Sequence, residues 1–161
     1  NRTRMLKAVT SIAGLGLRAN HSGSLSPISL LVDQALFATT HAHAEVMISS
    51  QSSSSSFVCF LIPTSAGPEA VHSAKQMLEE KLRDNPESES WSVNPVSIIT
   101  AISERLDEWP ELTANVLQTI GKTRVLGITQ GPAHCTLSII VEPQDAEDVL
   151  LLIHQLIINS G

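Results

Sequence analysis

The sequence predicts an α+β chain of two βαββαβ units, each an antiparallel sheet with its helices on one face. Two observations predict it: a segment repeats within the chain, and strand and helix periodicities follow the same order in both copies. The repeat is the main clue. From Val46 the chain reads VMISSQSSSSSFVCFLIP, and from Leu126 it reads LGITQGPAHCTLSIIVEP. Gln51 and Gln130 superpose, each between a short apolar run and a polar turn that leads to a second apolar run. An amphipathic stretch follows each hairpin, Pro68–Arg83 in the first copy and Pro143–Asn159 in the second. Gln76, Met77 and Leu78 answer Gln155, Leu156 and Ile157.

Periodicity places the elements in order. Leu15–Asn20 reads as a strand. Pro27 opens a helix whose Ile28, Leu31, Val32, Ala35 and Leu36 share one face. Glu45–Ser49 and Phe57–Ile62 form a hairpin around the serine-rich turn. The helix Glu69–Arg83 carries the stripe Val71, Ala74, Met77 and Leu78, and Ser90–Asn94 closes the first unit. In the second copy Val96–Ile102 is a strand and Pro110–Ile120 a helix. Arg124–Ile128 and Thr136–Val141 form its hairpin, and Ala146–Ile158 is the last helix. That copy runs out of chain one strand short. The apolar segment Met5–Ile12 supplies the missing strand from the other end. The expected domains are therefore 13–95, and 96–161 together with the strand 5–12, the first inserted within the second. Asp84–Ser90 (DNPESES) reads as the linker. Each unit has the ferredoxin-like pattern, whose sheet needs cover on its second face. Pairing with another such unit supplies it. The last helix is apolar nearly all round, which fits burial on more than one side.

Composition narrows the function. The 161 residues contain no Tyr and only five Phe or Trp, so Leu, Ile, Val and Ala must build the core. Net charge is −6, and beyond Arg2, Arg4 and Lys7 the basic residues are scattered. A nucleic-acid surface needs a concentrated basic stripe, so that class is set aside. No apolar run approaches the roughly 18–20 residues of a membrane span, and no signal-peptide pattern opens the chain. Cys59 and Cys135 are read as reduced thiols in a cytoplasmic protein. The start at Asn1, with Met5 inside, reads as an excised piece of a longer protein.

Few residues propose chemistry by themselves. The Ser52–Ser56 run is by composition a flexible loop. His41 and His43 have spacing that suits a metal, but no third ligand is near, and a solvated helix end explains them. His134 and Cys135 are too few for a zinc site. His72 and His154 fit packing or surface roles. Gly14 and Gly16 lie on a strand rather than at a strand-to-helix turn, which excludes a phosphate loop. No nucleophile elbow occurs. Gln51 and Gln130 either satisfy turn backbone groups or meet a ligand, and their recurrence at equivalent places favours a ligand.

These residues also reach a family. Gln51–Pro63, QSSSSSFVCFLIP, resembles the first ACT-domain hairpin of aspartokinases, especially those fused to homoserine dehydrogenase. Gln130–Val141, QGPAHCTLSIIV, is similar to the family's second hairpin. Asp145, Ala146 and Glu147 with His154, Gln155 and Leu156 resemble the helix that follows it. Leu6–Ile12, with the return to a strand at Leu15, is similar to the family's entry into its regulatory region.

The resemblance implies allosteric feedback without catalytic residues in this chain. A kinase domain preceding Asn1 would bind aspartate and ATP with Mg, while this portion needs no cofactor or metal of its own. Threonine or lysine would bind at ACT interfaces, and the chain would form a homodimer through its ACT units. Carried over by position, the first effector site uses the loop Ser22–Ile28, with Ser22, Gly23, Ser24 and Ser26, and the strand residues Val46, Ser50 and Gln51. The second uses Ser103–Leu112 and Gln130. The sequence departs from the family where Leu30 and Glu111 stand at positions usually held by glycine. The second loop, SERLDEWPEL, has no glycine at all. A pair of ACT units that only dimerises and scaffolds is the alternative reading.

Overall fold

The computed structural model describes residues 6–20, 25–67, 69–84, 91–103, 111–131 and 136–159. Among them are six strands and four α-helices, in the order β1 (Leu6–Ala19), α1 (Leu25–Thr40), β2 (Glu45–Gln51), β3 (Ser56–Leu61), α2 (Ala70–Arg83), β4 (Trp91–Ser103), α3 (Glu111–Ile120), β5 (Val125–Gln130), β6 (Thr136–Val141) and α4 (Ala146–Asn159). The predicted α+β class is the observed one. Short 3-10 turns, Thr64–Ala66 and Pro143–Asp145, lead into α2 and α4, so the repeat extends to the helix approaches.

The chain packs as two compact units, one Ala13–Val96, the other Ser97 onward with the chain up to Ile12. In the first unit the strand order is β2-β3-β1-β4, and in the second β5-β6-β4-β1. Each is the ferredoxin-like order. β3 pairs antiparallel with both β1 and β2, and β6 does the same with β4 and β5.

Two pairs of expected strands are single strands. Leu6–Ala19 is continuous, because Ala13 and Gly14 keep the extended backbone: Gly14 lies opposite Leu61, and the Ala13 carbonyl accepts from the Ile62 N–H at 3.1 Å. Trp91–Ser103 runs on through Pro95, joining the expected strands Ser90–Asn94 and Val96–Ile102. Pro95 precedes the Ser97–Ile102 ladder with β6, so its missing N–H removes no rung there.

Alternation decides which strand residues enter the cores. In the first unit Leu15, Leu17, Ala19, Val58, Phe60 and Ile62 face α1 and α2. Those helices answer with Ile28, Val32, Ala35 and Leu36, and with Ala70, Ala74, Leu78 and Leu82. The α2 stripe recurs every four residues, which aligns it along one side of a 3.6-residue helix. In the second unit Ile99, Ala101, Leu137, Ile139 and Val141 meet Val116 and Ile120 of α3 and Val149, Ile153 and Ile157 of α4.

The end of α1 is set by side chains. His41 adopts φ 58°, in the left-handed region, and its N–H bonds the Phe37 carbonyl at 2.9 Å, closing the helix. The Asp33 carboxylate then accepts the Ala44 N–H at 2.8 Å and contacts His43 Nδ1 at 3.2 Å, fixing the entry to β2. The Ala44 bond, followed by the His43 contact, holds the Asp33 carboxyl below the usual aspartate range. A depressed folded-state value stabilises the fold above the ordinary carboxylate pKa, and that contribution fades as pH falls through the folded value. Side-chain NMR titration should therefore place Asp33 below a free aspartate. The stability difference between wild type and Asp33→Ala should shrink towards acid pH, and a difference independent of pH would contradict this role.

Candidate functional site

The two hairpins are built alike in detail. A β-bulge falls between Val46 and Ile48 on β2, and another between Val125 and Gly127 on β5. Gln51 and Gln130 follow the bulges at the same distance, and both are exposed at the ends of edge strands. The serine run is an ordered turn rather than a slack loop. The Ser52 N–H bonds the Ser55 carbonyl at 2.8 Å, and Ser52 Oγ accepts the N–H groups of Ser54 and Ser55 at 3.3 and 3.1 Å. A serine hydroxyl that satisfies two turn donors fixes the hairpin without a glycine.

Of the residues expected to meet a ligand, Val46, Ser50 and Gln51 lie on β2 and Gln130 on β5. Ser22, Gly23 and Ser24 fall outside the described residues. Ser26 belongs to the first turn of α1, and its side chain is outside the description. Of the second loop, Ser103 is described and is buried at the end of β4.

Register separates the β2 residues. Directly opposed residues of antiparallel strands share a face. Val46 opposes Phe60 and Gln51 opposes Ser56, which places both on the side of α1 and α2. Ser50 opposes Phe57 and points to the other face. Phe57 in turn opposes Arg18 of β1, so Ser50, Phe57 and Arg18 form one row across three strands. The Arg18 guanidinium lies over the Phe57 ring, 5.5 Å from its centroid. Gly16 makes room for that ring: a Cβ there would stand 3.2 Å from Phe57 Cε2 and 3.0 Å from Val96 Cγ1. Sequence reasoning passed over Arg18. The signal was its place as a lone cation in the strand GLGLRA, one residue after a buried leucine.

The same row in the second unit is Thr129, Ser138 and Thr100. There the Thr100 and Ser138 hydroxyls bond each other at 2.8 Å. That row is neutral, with its central hydroxyl already bonded. The row in the first unit is cationic.

The other candidates have structural roles. His41 and His43 sit around the Phe37 ring, with centroid distances of 6.5 and 5.0 Å. Among the described residues no three His, Cys, Asp or Glu side chains cluster to hold a metal. Burial pushes the Cys59 thiol up to about 12, so it stays protonated and unreactive. His72 and His154 are exposed on α2 and α4. Among the described residues no helix is long and apolar enough to cross a membrane.

No protein-family model and no curated protein matches the sequence. Solved structures do match the fold. The ligand-free regulatory subunit of aspartate kinase from Thermus thermophilus superposes with a TM-score of 0.63 at 17% identity, over 94% of this chain and 97% of that one. Aspartate kinase from Synechocystis gives 0.65 at 13% identity, over 98% of this chain and 28% of its own. E. coli aspartokinase III, in complex with lysine and aspartate, gives 0.57 at 17% identity, over 95% and 33%. This chain thus spans about a third of those two longer proteins and nearly the whole of the regulatory subunit. Its fold is that seen in the regulatory subunit of aspartate kinase, a tandem of ferredoxin-like units.

Proposed function

We propose that this chain is the amino-acid-sensing regulatory portion of an aspartokinase. The observation that carries the reading is extent: the fold matches a regulatory subunit end to end, over 94% of this chain and 97% of that one. The units Ala13–Val96 and Ser97 onward with β1 up to Ile12 act as the two ACT domains. In the complete enzyme a kinase domain phosphorylates aspartate with Mg-bound ATP, in the cytoplasm. Threonine or lysine is the effector, and lysine is supported by the lysine-bound E. coli neighbour. The first unit is the competent one, drawing on Ser22, Gly23, Ser24 and Ser26, with Val46 and Gln51 on the helix side of β2 and Ser50 on its other face. Gln130 serves a weaker second site.

A thermal-shift screen of the twenty amino acids tests the sensing role. A ligand at about 100 times its dissociation constant adds ~2.7 kcal/mol to folding stability, and the expected hit is threonine or lysine. A screen in which no amino acid moves the transition would sink the sensing role and leave the scaffold reading. That second reading is favoured by one observation: Leu30, Phe37 and Val46 are exposed on α1 and the edge strand β2 of the same unit. An edge strand flanked by apolar side chains is a surface for a second copy. Light scattering should give twice the mass of one chain, and a clean monomer at high micromolar concentration would count against the dimer.

A further inference from the structure

We propose that Arg18 is the carboxylate receptor of the first unit, gripping the ligand on the sheet face turned away from α1 and α2, with the Ser50 hydroxyl across the Phe57 ring. The inference rests on the sensing role above and names the group that recognises the ligand's acid end.

The Arg18 side chain is half-buried, in a protein of net charge −6, yet it forms no ion pair with an acidic side chain among the described residues. Desolvating a guanidinium without an anionic partner is unfavourable, so such a group is poised to accept one. The Phe57 ring holds the guanidinium by a cation–π contact that neutralises nothing, and Gly16 keeps the ring in place. The donors of the planar fork that point away from the ring match the two oxygens of a carboxylate. Ser50 stands two strands away in the same row, about 10 Å between backbones at the usual strand spacing. Phe57 separates the two in that row, so a carboxylate on the Arg18 fork lies above the ring, with the Ser50 hydroxyl on its far side. The corresponding row of the second unit has the Thr100 and Ser138 hydroxyls bonded to each other and no cation, so the same ligand end finds no charge there. Gln51 faces the other side of the sheet and takes no part in this grip.

Calorimetry on the full chain tests it with the amino acid giving the largest thermal shift and with its α-carboxamide. Wild type should prefer the acid over the amide by at least about tenfold. Arg18→Gln should lose roughly 10- to 100-fold in affinity for the acid and bind acid and amide alike. Arg18→Lys keeps the charge but not the fork. It should fall between the two, so the proposal stays testable if the glutamine variant folds poorly. Lys75→Gln, which removes a half-buried cation on α2 paired with Glu79 at 3.2 Å, should bind as wild type does. Wild-type affinity and acid preference retained in both Arg18 variants would overturn the assignment while leaving amino-acid sensing intact. Loss on Gln51→Ala with no loss on Arg18→Gln would move the carboxylate to the opposite face. Absence of any amino-acid binding by wild type would overturn the sensing role and this proposal together.

Discussion

Phe60→Ala should destabilise the protein by about 3–5 kcal/mol, the range for truncating a buried aromatic side chain. Phe60 is 1% exposed on β3 and lies opposite Leu15 on one side and Val46 on the other. Its ring belongs to the cluster formed with Val32 and Leu36 of α1 and Ala74 and Leu78 of α2. The loss then comprises the transfer free energy of the ring and the cavity it leaves. Phe37→Ala is the matched control. That ring is 47% exposed, and its removal should cost less than about 1 kcal/mol. Denaturant midpoints of the two variants check the pair, and equal shifts would mean that Phe60 does not fill the core as described.

Gly16→Val should cost about 1–3 kcal/mol, although valine is a better strand former than glycine. Propensity and packing therefore predict opposite signs. Packing wins because the first carbon of any side chain already lies 3.0 Å from Val96 Cγ1 and 3.2 Å from the Phe57 ring, and valine adds two methyls beyond it. Relief requires the Phe57 ring to turn, which takes it from beneath Arg18. Under the receptor proposal the variant should therefore lose ligand affinity as well as stability. A stabilised Gly16→Val would show that the face has slack and that Phe57 is not confined by the glycine.

Both outcomes turn on the division between what is written along the chain and what only pairing creates. The helices and the fold class were legible because their signal is periodic: Ala74 and Leu78 on α2, or Ile28, Val32, Ala35 and Leu36 on α1, are spaced as a buried helical face requires. The two hairpins were legible as a repeat, with Gln51 and Gln130 at matching places, because the duplicated pattern compares the sequence with itself. Strand continuity was less legible. Gly14 and Pro95 are residues that usually end strands, and local preference is overruled when a neighbour supplies the ladder.

The row through Arg18 shows the limit most clearly. Arg18, Phe57 and Ser50 come from three strands far apart in sequence, and no local pattern relates them. Register alone aligns them, and a shift of one residue in β2 would have put Gln51 opposite Phe57 instead. By itself the sequence determined two repeated α+β units and the residues of their helical cores, because burial of one face imposes a period that can be read. Tertiary structure decided which side of the sheet each strand residue serves. That choice depends on how separate strands pair, and hydrogen-bonded register is not encoded by any one of them.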